Sequence, residues 1–227
     1  MNLELIKLTL TVVSGACWTV VYIDGIRLGF KHRSYAIPFY ALALNISWEI
    51  IYTYYGFQSA LSAQAVINAV WLLFDVGILF TYFKFGRKYF PWVGVPAESG
   101  VKPPHSKFIG WSVLGLITAF GVQYGFMREF GVAKGAAYSA FPQNLIMSIL
   151  FIAMLVKRNS REGQSLLIAI SKWIGTLAPT ILYGAIGQGG FPRGSFLILT
   201  VGLFCSVFDV IYIWLLAKTK PAQAGAL

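Results

Sequence analysis

Apolar stretches long enough to cross a bilayer recur along the chain and leave little room for any other fold. Windows of about twenty mostly apolar residues are the length a transmembrane helix requires. They fall near residues 5–28, 36–57, 65–84, 108–127, 138–157, 166–186 and 195–217. The expected fold class is therefore all-α: a polytopic membrane protein with seven transmembrane helices. Composition agrees, since 57% of the 227 residues are hydrophobic and only 11% are charged. Gly15, Gly115, Gly121, Gly175 and Pro179 lie inside these windows, where neighbouring helices can re-satisfy the backbone. The N-terminal stretch carries Glu4 and Lys7 and has no small-residue cleavage site, so it reads as the first span and not as a cleaved signal peptide.

Charge then sets orientation. The connections 1–2, 3–4 and 5–6 and the C-terminal tail carry thirteen Lys and Arg against four on the other side. The positive-inside rule predicts an outside or lumenal N-terminus and a cytoplasmic C-terminus. The net charge of +10 would point to nucleic acid in a soluble protein. Here the cations flank apolar runs and no RNA-binding signature accompanies them, so nucleic acid is excluded as a partner. Cys17 and Cys205 both fall inside apolar stretches, which gives neither a disulfide framework nor a zinc site. Residues 1–220 are expected to form one membrane domain and 221–227 a flexible tail. The connection near 85–107, with four prolines and Trp92, reads as a connector with an interfacial anchor or as a loop capping one end of the bundle. Phe74-Asp75-Val76 echoes Phe208-Asp209-Val210. The echo points to a 3+1+3 pseudo-repeat, with chance in a chain this rich in Phe and Val as the alternative.

Acids inside spans carry the functional information, because a charge at the bilayer centre costs about 2.5 kcal/mol or more on insertion scales. Asp24 has Arg27 three residues on, the spacing of a helical salt bridge. Asp75 has no local cation and is expected to bond Asn68 or a residue of another helix. Glu49 and Asp209 have no basic neighbour within a turn. Each is either neutral or paired with a distant group such as Lys172. Asn45, Tyr52 and Thr53 share a helical face with Glu49, and Cys205, Ser206 and Tyr212 share one with Asp209. Trp48, Trp71, Trp111 and Trp173 add aromatic faces, as membrane-interface anchors or as the wall of a cavity that stabilises a cation. A neutral acid in a dry aromatic cavity suits protonation of an alkene or epoxide, with a second acid orienting the first or taking up the proton. A proton-coupled transporter of the 3+1+3 helix type would use the same unpaired acids, and stands as the alternative.

Several runs together carry a resemblance. They are Ser34-Tyr35-Ala36-Ile37-Pro38, Asn45-Ile46-Ser47-Trp48-Glu49-Ile50-Ile51-Tyr52, Trp71-Leu72-Leu73-Phe74-Asp75, Lys157 to Ser165 with Trp173-Ile174-Gly175-Thr176, and Phe208-Asp209-Val210-Ile211-Tyr212. In this order they resemble the integral-membrane meroterpenoid cyclases of pyripyropene- and paxilline-type pathways. Bacterial relatives in that family cyclise farnesylated indole diketopiperazines of the drimentine type. The resemblance implies a terpene cyclase that starts by protonation and uses neither metal nor cofactor. Its expected partners are a lipophilic prenylated substrate and membrane lipid. Glu49 and Asp209 match the family's essential acids. Asn45, Trp48, Tyr52, Trp71, Asp75, Trp111, Trp173 and Tyr212 are the expected substrate-binding and cation-stabilising residues. The sequence contains neither DDxxD nor DxDD, the signatures of the two soluble cyclase classes.

Overall fold

A computed structural model describes residues 2–59, 63–90 and 104–221. Their order is α1 (Leu3–Lys31), α2 (Phe39–Ser59), α3 (Ala63–Phe85), a short 3-10 turn (Gly86–Tyr89), α4 (His105–Arg158), α5 (Leu166–Pro179) and α6 (Phe196–Lys218). Beyond Pro179 the helix α5 widens into a π-helical segment, Thr180–Ile186. Side-chain caps start three of these helices: Asn2, Ser165 and Ser195 accept the backbone N–H groups of Glu4, Ile168 and Ile198. Most of the expected loop, residues 91–103, and most of the expected tail, 222–227, lie outside the described residues.

Among the described residues five helical stretches are long and apolar enough to cross a membrane: Leu3–Lys31, Ala65–Tyr89, His105–Arg158, Leu166–Ile186 and Phe196–Lys218. Helix α2 is not among them, because Asn45, Ser47 and Glu49 dilute its hydropathy. It is sunk in the bundle instead, with Ala41, Leu42 and Ala43 wholly buried. The chain is inverted relative to a soluble protein. Leu8, Val12, Leu73, Val156, Phe196 and Val207 face outward, while Glu49, Asp75, Gln123, Lys172 and Asp209 are buried. That pattern fits helices solvated by lipid around a polar interior.

Helix α4 is two antiparallel arms. A continuous helix would hold Gln123 and Gln143 about 30 Å apart, yet Gln123 Nε2 donates to Gln143 Oε1 at 2.6 Å. The rings of Phe130 and Tyr138 also meet, with centroids 5.2 Å apart. The reversal is at Gly131, with φ 73° and ψ 172°, a conformation open essentially to glycine alone. It falls between the fourth and fifth expected spans and divides α4 into α4a (105–130) and α4b (132–158). Gly131→Ala should destabilise the protein by about 1–3 kcal/mol. A lowered Tm in detergent with unchanged helical content by circular dichroism would show it, and an unchanged Tm would argue against a strained reversal.

The helices close a ring: α1 packs on α3 and α5, α2 on α3 and α4, and α6 on α4 and α5. One end of the ring is locked by polar contacts. The guanidinium of Arg158 stacks on the rings of Tyr35 and Tyr89, 4.3 Å from each centroid. Lys88 pairs with Glu162 at 2.7 Å. Asp24 takes Arg27 at 2.6 Å, the expected salt bridge, and also accepts the Ser165 hydroxyl. His32 Nδ1 accepts the backbone N–H of Gly163 at 3.0 Å. Burial, and next the charge of Lys31, hold the His32 pKa below its ordinary value, in keeping with its role as acceptor. The opposite end, with the N-terminus of α1, the C-terminus of α2 and Gly131, is where the interior opens.

Candidate active site

A cavity of about 450 Å³ occupies that open half of the ring. Helix α2 supplies Asn45, Trp48, Glu49 and Tyr52, the i, i+3, i+4, i+7 positions of one helical face. Facing them, α4b presents Ala136, Ala137 and Ala140, whose small side chains leave the space open. Trp18 and Tyr22 from α1 and Trp71 from α3 complete an aromatic wall. Tyr22 is its centre, with ring centroids 6.1 Å from Trp18, 6.1 Å from Trp71 and 6.0 Å from Phe74. Gly175 permits this packing, since a Cβ there would meet the Trp18 indole at 3.0 Å.

Glu49 lines the cavity at 2% exposure, and its Oε2 has no hydrogen-bond partner. Beside it runs a chain of amides. Gln143 Nε2, itself held by Gln123, donates to Asn45 Oδ1 at 2.6 Å. Asn45 Nδ2 then donates to Asp75 Oδ2 at 2.7 Å and to the Tyr22 hydroxyl at 2.8 Å. Both amide hydrogens of Asn45 are thereby used, so the Tyr22 hydroxyl is left to donate its own. Asp75 is fully buried one hydrogen bond behind the cavity wall, within electrostatic reach of Glu49. Asn45 on another helix is thus its partner, the second of the two expected arrangements. Asp75→Asn keeps a carbonyl to accept from Asn45 and should cost about tenfold in turnover, on the scale of one perturbed buried hydrogen bond. Complete loss in a correctly folded variant would show that the Asp75 proton is itself used.

Asp209 is elsewhere. It is 1% exposed, and both its oxygens accept from Lys172 Nζ, at 2.7 and 3.0 Å. Lys172 also donates to Ser148 at 2.7 Å. This is the distant pairing with Lys172 that the absence of a local cation left open. Asp209 is not part of the cavity wall. Besides Asp75, which lies behind the wall, three other expected substrate contacts also lie away from it. Trp111 is 52% exposed on the outer surface of α4a. Tyr212 is fully buried against Phe151, its hydroxyl bound to Gln164 at 2.8 Å. Trp173 is half-buried on α5, and its indole N–H is buried without a partner, but it is not part of the cavity wall. Asn45, Trp48, Glu49, Tyr52 and Trp71 do come together around one space. Trp18, Tyr22, Gln143, Asn144 and Thr176 join them unexpectedly. Gln143 gave the same signal as Glu49, a polar side chain deep in an apolar run.

A model of the Pyr4-like transmembrane terpene cyclases matches residues 1–221. The chain belongs to that family. Its curated relatives include the Pyr4-family terpene cyclase mfmH of Annulohypoxylon moriforme, 31% identical over 77% of this chain and 68% of that protein. Terpene cyclase macJ of Penicillium terrestre is 24% identical over 90% of this chain and 80% of its own length. Terpene cyclase pyr4 of Aspergillus fumigatus is 23% identical over 92% and 85%. No solved structure matches the chain. The buried acid and its aromatic cavity are thus features of a multi-pass membrane terpene cyclase, whose substrate is a lipophilic terpenoid.

Proposed function

We propose that this cyclase protonates the terminal alkene or epoxide of a prenylated small molecule, such as a farnesylated indole diketopiperazine, and that Glu49 is the acid. The observation that carries the reading is the unpartnered Glu49 Oε2 inside an aromatic cavity. With no hydrogen-bonded cation to compensate it, an ionised carboxyl there would be very costly, so Glu49 rests as the neutral acid. Its proton passes to the substrate, leaving a carboxylate and a tertiary carbocation. Internal alkenes of the chain attack the cation in turn and form carbon–carbon bonds. The last cation loses a proton, which restores the acid, so the product is an isomer of the substrate. The faces of Trp18, Tyr22 and Trp71 shelter the positive charge through their ring quadrupoles. A cavity of about 450 Å³ is of ordinary size for a small-molecule site.

The reading includes seven spans, α4a and α4b counting separately, with the N-terminus outside. The cavity then opens toward the non-cytoplasmic face, and the prenyl chain enters from the bilayer. Labelling intact cells with a membrane-impermeant thiol reagent should modify a cysteine introduced by Gln58→Cys and spare one introduced by Lys220→Cys. The reverse pattern would overturn the orientation. The reaction itself is tested with membranes in EDTA, supplied with a farnesylated indole diketopiperazine and with an epoxidised prenyl-aromatic compound. A cyclised product of unchanged mass from either is expected. Uptake of unchanged substrate into proteoliposomes, with no product, would favour transport instead.

A further inference from the structure

The cavity holds polar atoms that the acid chemistry leaves unused. Asn144 Oδ1 and Thr176 Oγ1 are buried beside it without a hydrogen-bond partner. Several helical hydroxyls in this chain satisfy themselves on the carbonyl four residues back, as Thr19, Ser47, Ser148 and Thr180 do, while those of Thr53 and Ser206, outside the cavity wall, do not. Nor does that of Thr176, at 2% exposure. Asn144 directs its amide N–H to the Ala140 carbonyl at 3.0 Å, and its own carbonyl oxygen remains open. Buried polar groups normally find partners, so two open ones on one cavity wall mark a place where a ligand supplies them.

The two residues stand at the same height. Helices α4b and α5 follow one another in the chain across a short connection and run antiparallel, and Lys172 of α5 donates to Ser148 of α4b at 2.7 Å. One turn toward the open end, Asn144 lies above Ser148 and Thr176 above Lys172, each on the same helix face. Their chemistry is complementary: an open carbonyl accepts, and a hydroxyl has a hydrogen to give. Neither carries charge.

We propose that Asn144 and Thr176 form a second polar subsite, which binds a neutral group presenting a hydrogen-bond donor beside an acceptor, as a secondary lactam does, in the headgroup of the prenylated substrate. The Asn144 carbonyl takes the lactam N–H, and the Thr176 hydroxyl donates to the lactam carbonyl. The inference rests on the cyclase reading and fixes how the substrate lies. Asn45, whose partner Gln143 adjoins Asn144, is one turn deeper than Glu49. The subsite therefore grips the headgroup on the α4b–α5 wall, while the acid on α2 meets the far end of the prenyl chain. A chain held at both ends within one enclosure must coil, as ring closure requires.

The test uses the full-length Glu49→Gln protein in lipid nanodiscs and measures Kd for a farnesylated indole diketopiperazine and for its N,N′-dimethyl lactam analogue. The parent ligand is expected to bind about tenfold more tightly, the scale of the lost hydrogen bonds. Adding Thr176→Val or Asn144→Leu should bring the parent ligand down to the level of its analogue and leave the analogue unchanged. Thr176→Ser, which keeps the hydroxyl, should preserve the preference and shows that the position tolerates substitution. Equal binding of both ligands, binding of neither, or variants that weaken both alike would overturn the subsite. So would a wild-type product that takes its oxygen from labelled water and loses it in Thr176→Val, which would assign the pair to a quenching water. Conversion of ligand by the Glu49→Gln protein during the titration would instead count against the acid's role, so the two failures are distinguishable.

Discussion

Glu49→Gln should cut turnover by about 10²–10⁴-fold, the usual contribution of a general acid, while leaving substrate affinity and folding close to wild type. Glutamine fills the same volume beside Trp48 and Tyr52 and retains a polar atom where Glu49 Oε2 faces the cavity. What it lacks is a proton acidic enough to give to an alkene. The loss must therefore fall on kcat and not on KM, because removing a group that acts only in the transition state leaves ground-state binding in place. Glu49→Asp should retain part of the activity, since the acid survives but is withdrawn by one methylene. Single-turnover product formation in purified, lipid-reconstituted protein checks both. Wild-type turnover by Glu49→Gln would remove the residue from the mechanism, and a rise in KM alone would make it a binding residue.

The helices were legible because hydrocarbon enforces length and apolarity, and the reversal at Gly131 falls where sequence separates the fourth and fifth windows. Helix α2 shows the limit of hydropathy as a guide. It was found as an apolar window, yet the polar side chains that make it functional also take it below the composition of a plain span. The grouping of part of the candidate site was legible through helical phase. Asn45, Trp48, Glu49 and Tyr52 lie on one helix, and their common face follows from their spacing. Phase within a helix does not say which way that face points within the ring. Trp111 and Tyr212 are aromatic and lie in spans, but one faces outward and the other packs toward the closed end. Lys172 is the instructive case. A lone cation deep in a span is as informative as a lone acid, and pairing the two in sequence already hinted at the contact with Asp209 that the structure contains.

The largest stability effect should come from that ion pair. Asp209→Asn leaves the Lys172 ammonium fully buried with Ser148 and a neutral amide, and breaking a buried pair in this way costs about 3–5 kcal/mol. We expect Asp209→Asn to be nearly inactive, with a strongly lowered Tm. Loss of activity alone would not make Asp209 an acid in the reaction, because Asn144 and Thr176 sit one turn above Ser148 and Lys172 and would move with them. The double variant Lys172→Met/Asp209→Leu separates the two roles. Replacing both charges by apolar side chains removes the uncompensated ion, so stability should return to near wild type. If Asp209 works by holding α4b, α5 and α6 in register beneath the cavity, a substantial part of the turnover should return with it. If Tm recovers and turnover does not, the carboxylate itself is needed, as the resemblance to the membrane cyclases implies, and a proton route from Asp209 to the cavity would have to open during the reaction. Lys172→Met alone should fail in the opposite sense, leaving a lone buried carboxylate that can relieve its cost by taking up a proton. Its Tm should therefore recover as pH is lowered, whereas that of Asp209→Asn should not.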